Sequence, residues 1–131
     1  RNSDCAAKAL IDRQSGELIG ICTFTAYSLE KQRVSGVLQG SQPSEIGVVR
    51  LVMLGVARKY QKRGFGQDLL CDFFEHVKII HQALPIKGVY LDAAPAAINF
   101  YARLGFVQLS ATPNAFGAVP MFLAIQHILA A

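Results

Sequence analysis

Gln61-Lys62-Arg63-Gly64-Phe65-Gly66 has the residue types and spacing to hold a phosphate. Gly64 and Gly66 let the backbone curl so that several N–H groups converge, and a helical pattern that begins at once adds the positive end of its dipole. A ligand carrying a diphosphate fits such a turn. Four cationic side chains, Arg58, Lys59, Lys62 and Arg63, lie within six positions in a chain of net charge +4. An excess this mild is common among enzymes, so charge alone does not choose between nucleic acid and a small anion. A solvated loop face is the plain alternative for Lys62 and Arg63.

The turn needs a strand before it and a helix after it. Residues 46–56 form a Val-rich apolar run, consistent with a central strand buried on both faces. From 64 to 81, Leu69, Leu70, Phe73, Phe74, Val77 and Ile80 recur at spacings of three and four, with Asp68, Asp72, Glu75 and Lys78 between them, which is an amphipathic helix. Upstream, 6–11 and 18–27 flank Gln14-Ser15-Gly16-Glu17 and read as an antiparallel hairpin, and 29–43 as an exposed connection. Downstream come a strand over 88–93, a helix over 96–104 stopped by Gly105, and strands over 106–109 and 121–126. The order predicts an α/β (α+β) fold, a mainly antiparallel sheet with one parallel crossover and flanking helices. The basic turn then sits at the carboxyl end of the strand entering the crossover, where ligands bind.

At 131 residues, just over half of them hydrophobic, the chain reads as one domain spanning 1–131. No stretch approaches the roughly 18–20 apolar residues that span a bilayer, so no membrane partner and a cytoplasmic location are expected. Cys5, Cys22 and Cys71 are odd in number and widely spaced, which suggests neither a disulfide framework nor a metal site. His76, His81 and His127 have no ligand-like spacing and read as structural or exposed.

Gln61-x-x-Gly64-x-Gly66 after a Val-rich strand resembles the acetyl-CoA signature of the GNAT superfamily of N-acetyltransferases. Ala96-Ala97-Ile98-Asn99-Phe100-Tyr101-Ala102-Arg103-Leu104-Gly105-Phe106 resembles the same superfamily's second cofactor segment. Gly64 and Asn99 stand 35 positions apart, in the family's order. The family normally begins with a further strand and one or two helices, so the resemblance implies that N-terminal elements are missing from this chain, which starts at Arg1.

The resemblance implies acetyl-CoA as donor. Backbone amides of Lys62, Arg63, Gly64, Phe65 and Gly66, with Gln61 beside them, would hold its diphosphate. Leu54 and Val56 would offer main-chain groups to the pantetheine arm, and Asn99 would lie beside it. Tyr101 would be the general acid: when an amine attacks a thioester carbonyl a thiolate leaves, and a phenol can protonate it. A packing role in an apolar helix is the plain alternative. No residue stands out as the base, although Glu45 and Asp92 sit at strand ends where they could face an acceptor. An acceptor arriving as neutral amine, or a water chain, would need none.

The strand 18–27, the polar loop after it, LxxLGVxxxYQxxGxGxxLL and NFYxxxGF are together similar to the GNAT toxins of bacterial toxin–antitoxin pairs. That branch implies aminoacyl-tRNA as the amine acceptor, a ribbon-helix-helix antitoxin as partner, and admits a homodimer. Met53-Leu54-Gly55-Val56-Ala57 stands where the branch commonly has Arg-Leu-Ala-Val-Asp. A small-molecule or protein amine is the alternative acceptor, and a non-catalytic acyl-CoA-binding domain the alternative class.

Overall fold

The computed structural model describes residues 5–131, so the start of the chain at Arg1 lies outside the described residues. Strands β1 (Ala6–Ile11) and β2 (Leu18–Glu30) form the expected hairpin. Its turn is built by Asp12, whose Oδ1 accepts the N–H of Gln14 at 2.9 Å and of Ser15 at 3.3 Å, while Gly16 takes φ +76°. β2 pairs antiparallel with β3 (Glu45–Val56) along its length, from Gly20↔Val56 to Glu30↔Glu45. β3 pairs in parallel with β4 (Gly88–Ala93), and β6 (Val119–Ala124) lies between β4 and the short β5 (Val107–Gln108). The strand order is β1-β2-β3-β4-β6-β5, the mixed sheet with one parallel step read from the sequence.

Helix α1 (Phe65–Ala83) makes the crossover and turns Leu69, Leu70, Phe73 and Val77 into the sheet. These residues, with Cys22, Phe24, Leu51, Leu91 and Phe106, form the larger apolar cluster on one sheet face. α2 (Ile98–Arg103) closes the open end of the same cluster with Tyr101, and Gly105 stops it at φ +104°. A smaller cluster of Leu29, Val34, Ile46, Val48, Tyr90 and Phe122 packs on the opposite face.

Three expectations are corrected. β2 runs on to Glu30, and a 3-10 turn at Lys31–Val34 follows, because Leu29 and Val34, each 1% exposed, seal the smaller cluster. The segment read as an exposed connection therefore begins with core residues. β5 holds only two residues, since Phe106 is drawn into the main core. The last strand ends at Ala124, and Ile125–Ala130 forms a helix, α3. Its Ile125 N–H donates to Lys87 C=O at 2.9 Å, and Ile125 and Ile128, three apart, are both buried. Among the described residues no helix is long and apolar enough to cross a membrane.

Candidate active site

The site begins where the parallel pair comes apart. β3 and β4 pair only at Val49↔Val89 and Arg50↔Tyr90, although both strands continue past that point. The register of β2 against β3 jumps from Thr23↔Met53 to Phe24↔Leu51, so Val52 is an extra, bulged residue that bends the strand. Beyond the bulge Ala57 N–H donates to Ile19 C=O at 2.8 Å. Antiparallel ladders alternate between bonded and non-bonded pairs, so Leu54, opposite Cys22, and Val56, opposite Gly20, turn their main-chain groups away from β2 and into the gap. These are the two residues whose main chain the resemblance singles out. The Val56 carbonyl, however, already accepts the Gln61 side-chain amide at 2.9 Å. Gln61 ties the strand end to the turn, and the Val56 N–H is the group left facing the gap.

Two cavities lie along the seam between β3 and α2. One, of about 260 Å³, fills the gap between the splayed strands and is lined by Leu54, Leu91, Asp92, Ala93, Ala97 and Tyr101. The other, of about 380 Å³, lies over the basic turn and is lined by Val56, Lys62, Gly64, Gly66, Gln67, Phe100 and Arg103. Lys62 adopts φ +65° and Gly64 φ +85°, two left-handed residues in one short turn. That curl aims successive N–H groups to one side. Gly64 is the N-cap of α1 and no side chain caps the helix; its first intrahelical bond is Asp68 N–H to Gly64 C=O at 3.0 Å. The N–H groups of Phe65, Gly66 and Gln67 thus lack intrahelical acceptors, and 19 residues of aligned helix stand behind them. The turn has the backbone geometry of an anion cradle.

Tyr60, which sequence reasoning missed, fixes it. Its hydroxyl donates to Glu17 Oε1 at 3.1 Å and lies 3.4 Å from Asp12 Oδ2, and its ring meets Phe65 edge-on at 6.0 Å. Lys59 Nζ bonds the same Glu17 oxygen at 2.8 Å, and the Arg63 guanidinium lies 5.5 Å over the Tyr60 ring. The bond from Lys59, then that from Tyr60, holds the Glu17 carboxyl below its usual range. Burial and the bond to Glu17 push the Tyr60 phenol up. An aromatic residue directly before a basic turn was the available signal, but its partners lie more than 40 positions upstream. Of the four clustered cations, Lys59 is consumed by this anchor, while Arg103, on another helix, joins the cradle.

Tyr101 is 9% exposed, its ring edge-on to Phe100 at 5.1 Å and Phe106 at 5.5 Å. Burial, with a smaller contribution from the Cys22 thiol, raises its phenol above the ordinary value, so the group stays protonated through neutral pH. It lines the splay cavity without a side-chain hydrogen bond to the protein. Asn99 is exposed on α2 and lines neither cavity, although its neighbours Phe100 and Tyr101 each line one. Glu45 begins β3 and accepts Ser28 Oγ at 2.6 Å; nine residues of strand, about 30 Å, separate it from Leu54, so it does not face the gap. Asp92 does line the gap, but it accepts Arg50 NH2 at 3.0 Å and the Tyr90 hydroxyl at 2.9 Å. His76 packs edge-on to Phe24 at 5.4 Å, and His81 Nδ1 accepts the Ile86 N–H at 3.2 Å, both structural uses. Among the described residues no three His, Cys, Asp or Glu side chains gather as a metal site.

A bulged strand splays from its parallel neighbour and ends at a turn of converging N–H groups on an uncapped helix. Residues 7–108 match the acetyltransferase (GNAT) domain, and the chain belongs to that family. It is an N-acetyltransferase with acetyl-CoA as donor. No curated protein sequence matches at a significant level. Among solved structures, a bacterial toxin is 98% identical, with a TM-score of 0.96 over 98% of this chain and 72% of that one. AtaT complexed with acetyl-methionyl-tRNAfMet gives a TM-score of 0.80 at 21% identity, over 97% of this chain and 75% of that one. AtaTR bound with AcCoA gives 0.77 at 21% identity, over 97% and 74%. The last two show likeness of fold.

Proposed function

We propose that this chain is the toxin of a toxin–antitoxin pair and acetylates the amino group of aminoacyl-tRNA by direct attack on acetyl-CoA. The observation that carries the toxin reading is the 98% identity to a bacterial toxin over nearly the whole chain. The fold likeness to AtaT with its acetylated tRNA agrees with it. The working compartment under this reading is the cytoplasm, and the restraining partner is a ribbon-helix-helix antitoxin.

The cradle fits the donor: two left-handed residues and an uncapped helix end face a cavity large enough for a diphosphate. A Cβ on Gly66 would meet only ordinary contacts, the nearest at 3.7 Å, so the turn is open rather than filled by protein. N–H groups from Lys62 to Gln67 would hold the diphosphate, with Lys62 and Arg103 adding charge. The Leu54 main chain and the Val56 N–H would pair with the amides of the pantetheine arm; Asn99, exposed on α2, would flank it only from outside the two cavities. Bound acetyl-CoA supplies an activated thioester. Tyr101, protonated at neutral pH, donates its proton to the departing sulfur, while the amine reaches the gap from the side away from α1. No base is assigned, because Asp92 is held by two partners.

The test is to incubate the protein with labelled acetyl-CoA and separate pools of charged tRNA, protein and small amines. Label on charged tRNA is expected. Label confined to small amines or protein would end the toxin reading, and intact acetyl-CoA in every pool would favour a non-catalytic domain.

A further inference from the structure

The sheet face that α1 does not cover carries a linked group of five side chains at the level where β3 and β4 part. Arg33 NH2 donates to the Tyr90 hydroxyl at 2.9 Å, and that hydroxyl donates to Asp92 Oδ1 at 2.9 Å. Asp92 Oδ2 in turn accepts Arg50 NH2 at 3.0 Å. Both guanidinium groups also lie over aromatic faces, Arg33 at 5.0 Å from the Tyr90 centroid and Arg50 at 5.0 Å from that of Tyr27. The two rings stack at 5.5 Å and 17°. Residues from β2, the turn after it, β3 and β4 thus fix two arginines around one ring, Arg50 lying 5.9 Å from the Tyr90 centroid as well.

The group is not self-satisfied. Two cations face one carboxylate, which leaves a net positive charge. Arg33 is exposed and its one hydrogen bond engages NH2, while a guanidinium carries five donors. Arg50 Nε is buried and has no hydrogen-bond partner. A buried, unpaired donor on a charged group is costly, and the remaining part of the Arg50 side chain, 34% exposed, is open to an oxyanion. Asp92 belongs both to this cluster and to the lining of the cavity that holds Tyr101, so an anion bound here lies at the mouth of the reaction gap. Of the cations in the turn 58–63, Lys62 lines the donor-side cavity, Lys59 is paired with Glu17 and Arg63 lies over the Tyr60 ring.

We propose that Arg33 and Arg50, oriented by Tyr27, Tyr90 and Asp92, bind a backbone phosphate near the 3′ end of the acceptor RNA and so position its aminoacyl amine at the gap. This rests on the aminoacyl-tRNA reading. Guanidinium forks suit a phosphate because two parallel N–H bonds match two of its oxygens. Arg33 and Arg50 are positioning residues here, and neither touches the thioester.

The experiment uses the full chain saturated with acetyl-CoA, which keeps nucleotides out of the donor cradle. Arg33→Gln is the first variant because Arg33 is at the surface. Its KM for charged tRNA is expected to rise about tenfold, with kcat held within about twofold, and the dependence of log KM on log salt to weaken by about one phosphate contact. Arg33→Lys restores the salt slope but not the full affinity, since the stacked fork is lost. A KM within about twofold of wild type, or an unchanged salt slope in Arg33→Gln, overturns the proposal. Adenosine 5′-monophosphate, titrated into the same acetyl-CoA-saturated proteins, separates this failure from failure of the acceptor reading. Binding weakened at least about fivefold in Arg33→Gln supports a nucleotide-phosphate site even if charged tRNA is not acetylated. Equal binding in the two proteins refutes the site whatever the acceptor.

Discussion

Removing one oxygen atom separates the two roles open to Tyr101. The ring packs between Phe100 and Phe106, and phenylalanine keeps both edge-on contacts. The hydroxyl makes no hydrogen bond to the protein, so Tyr101→Phe strands no partner, and unfolding stability should change by less than about 0.5 kcal/mol. Loss of a general acid costs roughly 10²–10⁴ in rate, and the lower end corresponds to about 2.7 kcal/mol of barrier. The expected result is a kcat at least about 100-fold lower with acetyl-CoA affinity and Tm unchanged. Release of the free thiol at saturating substrates, an acetyl-CoA titration and a thermal melt measure the three quantities. Because burial raises the phenol's pKa above its ordinary 10.0, the proton is present at all pH values below that. The shift favours the folded protein fully below the unfolded pKa, and that contribution is lost as pH rises through the folded one. Equal turnover in the two proteins would refute the reasoning, and a Tm drop of many degrees would give the hydroxyl a structural role instead.

Gly64→Glu places a carboxylate and a side chain at φ +85° in the cradle, and should abolish acetyl-CoA binding by calorimetry while the melt stays cooperative. Gly88→Ala should destabilise by about 1–3 kcal/mol in denaturant melts, because a Cβ there would meet the Leu123 carbonyl and the Phe122 ring inside contact distance. Glu17→Gln weakens the anchor of Tyr60 and Lys59, lowering Tm at pH 7 and raising the KM for acetyl-CoA. The folded-state pKa of Glu17 is depressed, so its contribution is present above the ordinary value of 4.5 and lost as pH falls below it. The Tm gap between wild type and Glu17→Gln should therefore close on acidification, and a gap that persists would contradict the anchor.

The parts legible in the sequence are those whose physics is local. The three-and-four spacing of Leu69, Leu70, Phe73 and Val77 located α1, and Gly64 marks its start at φ +85°, whereas the second left-handed residue of the turn is Lys62 and Gly66 lies inside the helix. Leu54 and Val56 were named through the family resemblance, and ladder alternation turns their main chain into the gap. What escaped depends on partners distant in sequence. Arg33 meets Tyr90 across 57 positions and Tyr60 meets Glu17 across 43, and neither pair leaves a pattern along the chain. α3 was taken for the end of a strand because Phe122-Leu123-Ala124-Ile125 is continuously apolar, a pattern that either structure satisfies. For Glu45 the sequence leaves an acceptor-facing base and an ordinary strand-end charge both open; a strand's two ends differ by tens of ångströms, and Glu45 lies at the end away from the gap.

The central claim is acetyl transfer from acetyl-CoA to the amino group of a tRNA-borne amino acid. Mass spectrometry of the aminoacyl-adenosine released by nuclease from charged tRNA, after incubation with this protein and acetyl-CoA, tests it directly. The account predicts one acetyl increment on the α-amino group, absent when Tyr101→Phe replaces the wild type for the same brief incubation. Unmodified aminoacyl-adenosine in the presence of consumed acetyl-CoA would contradict it.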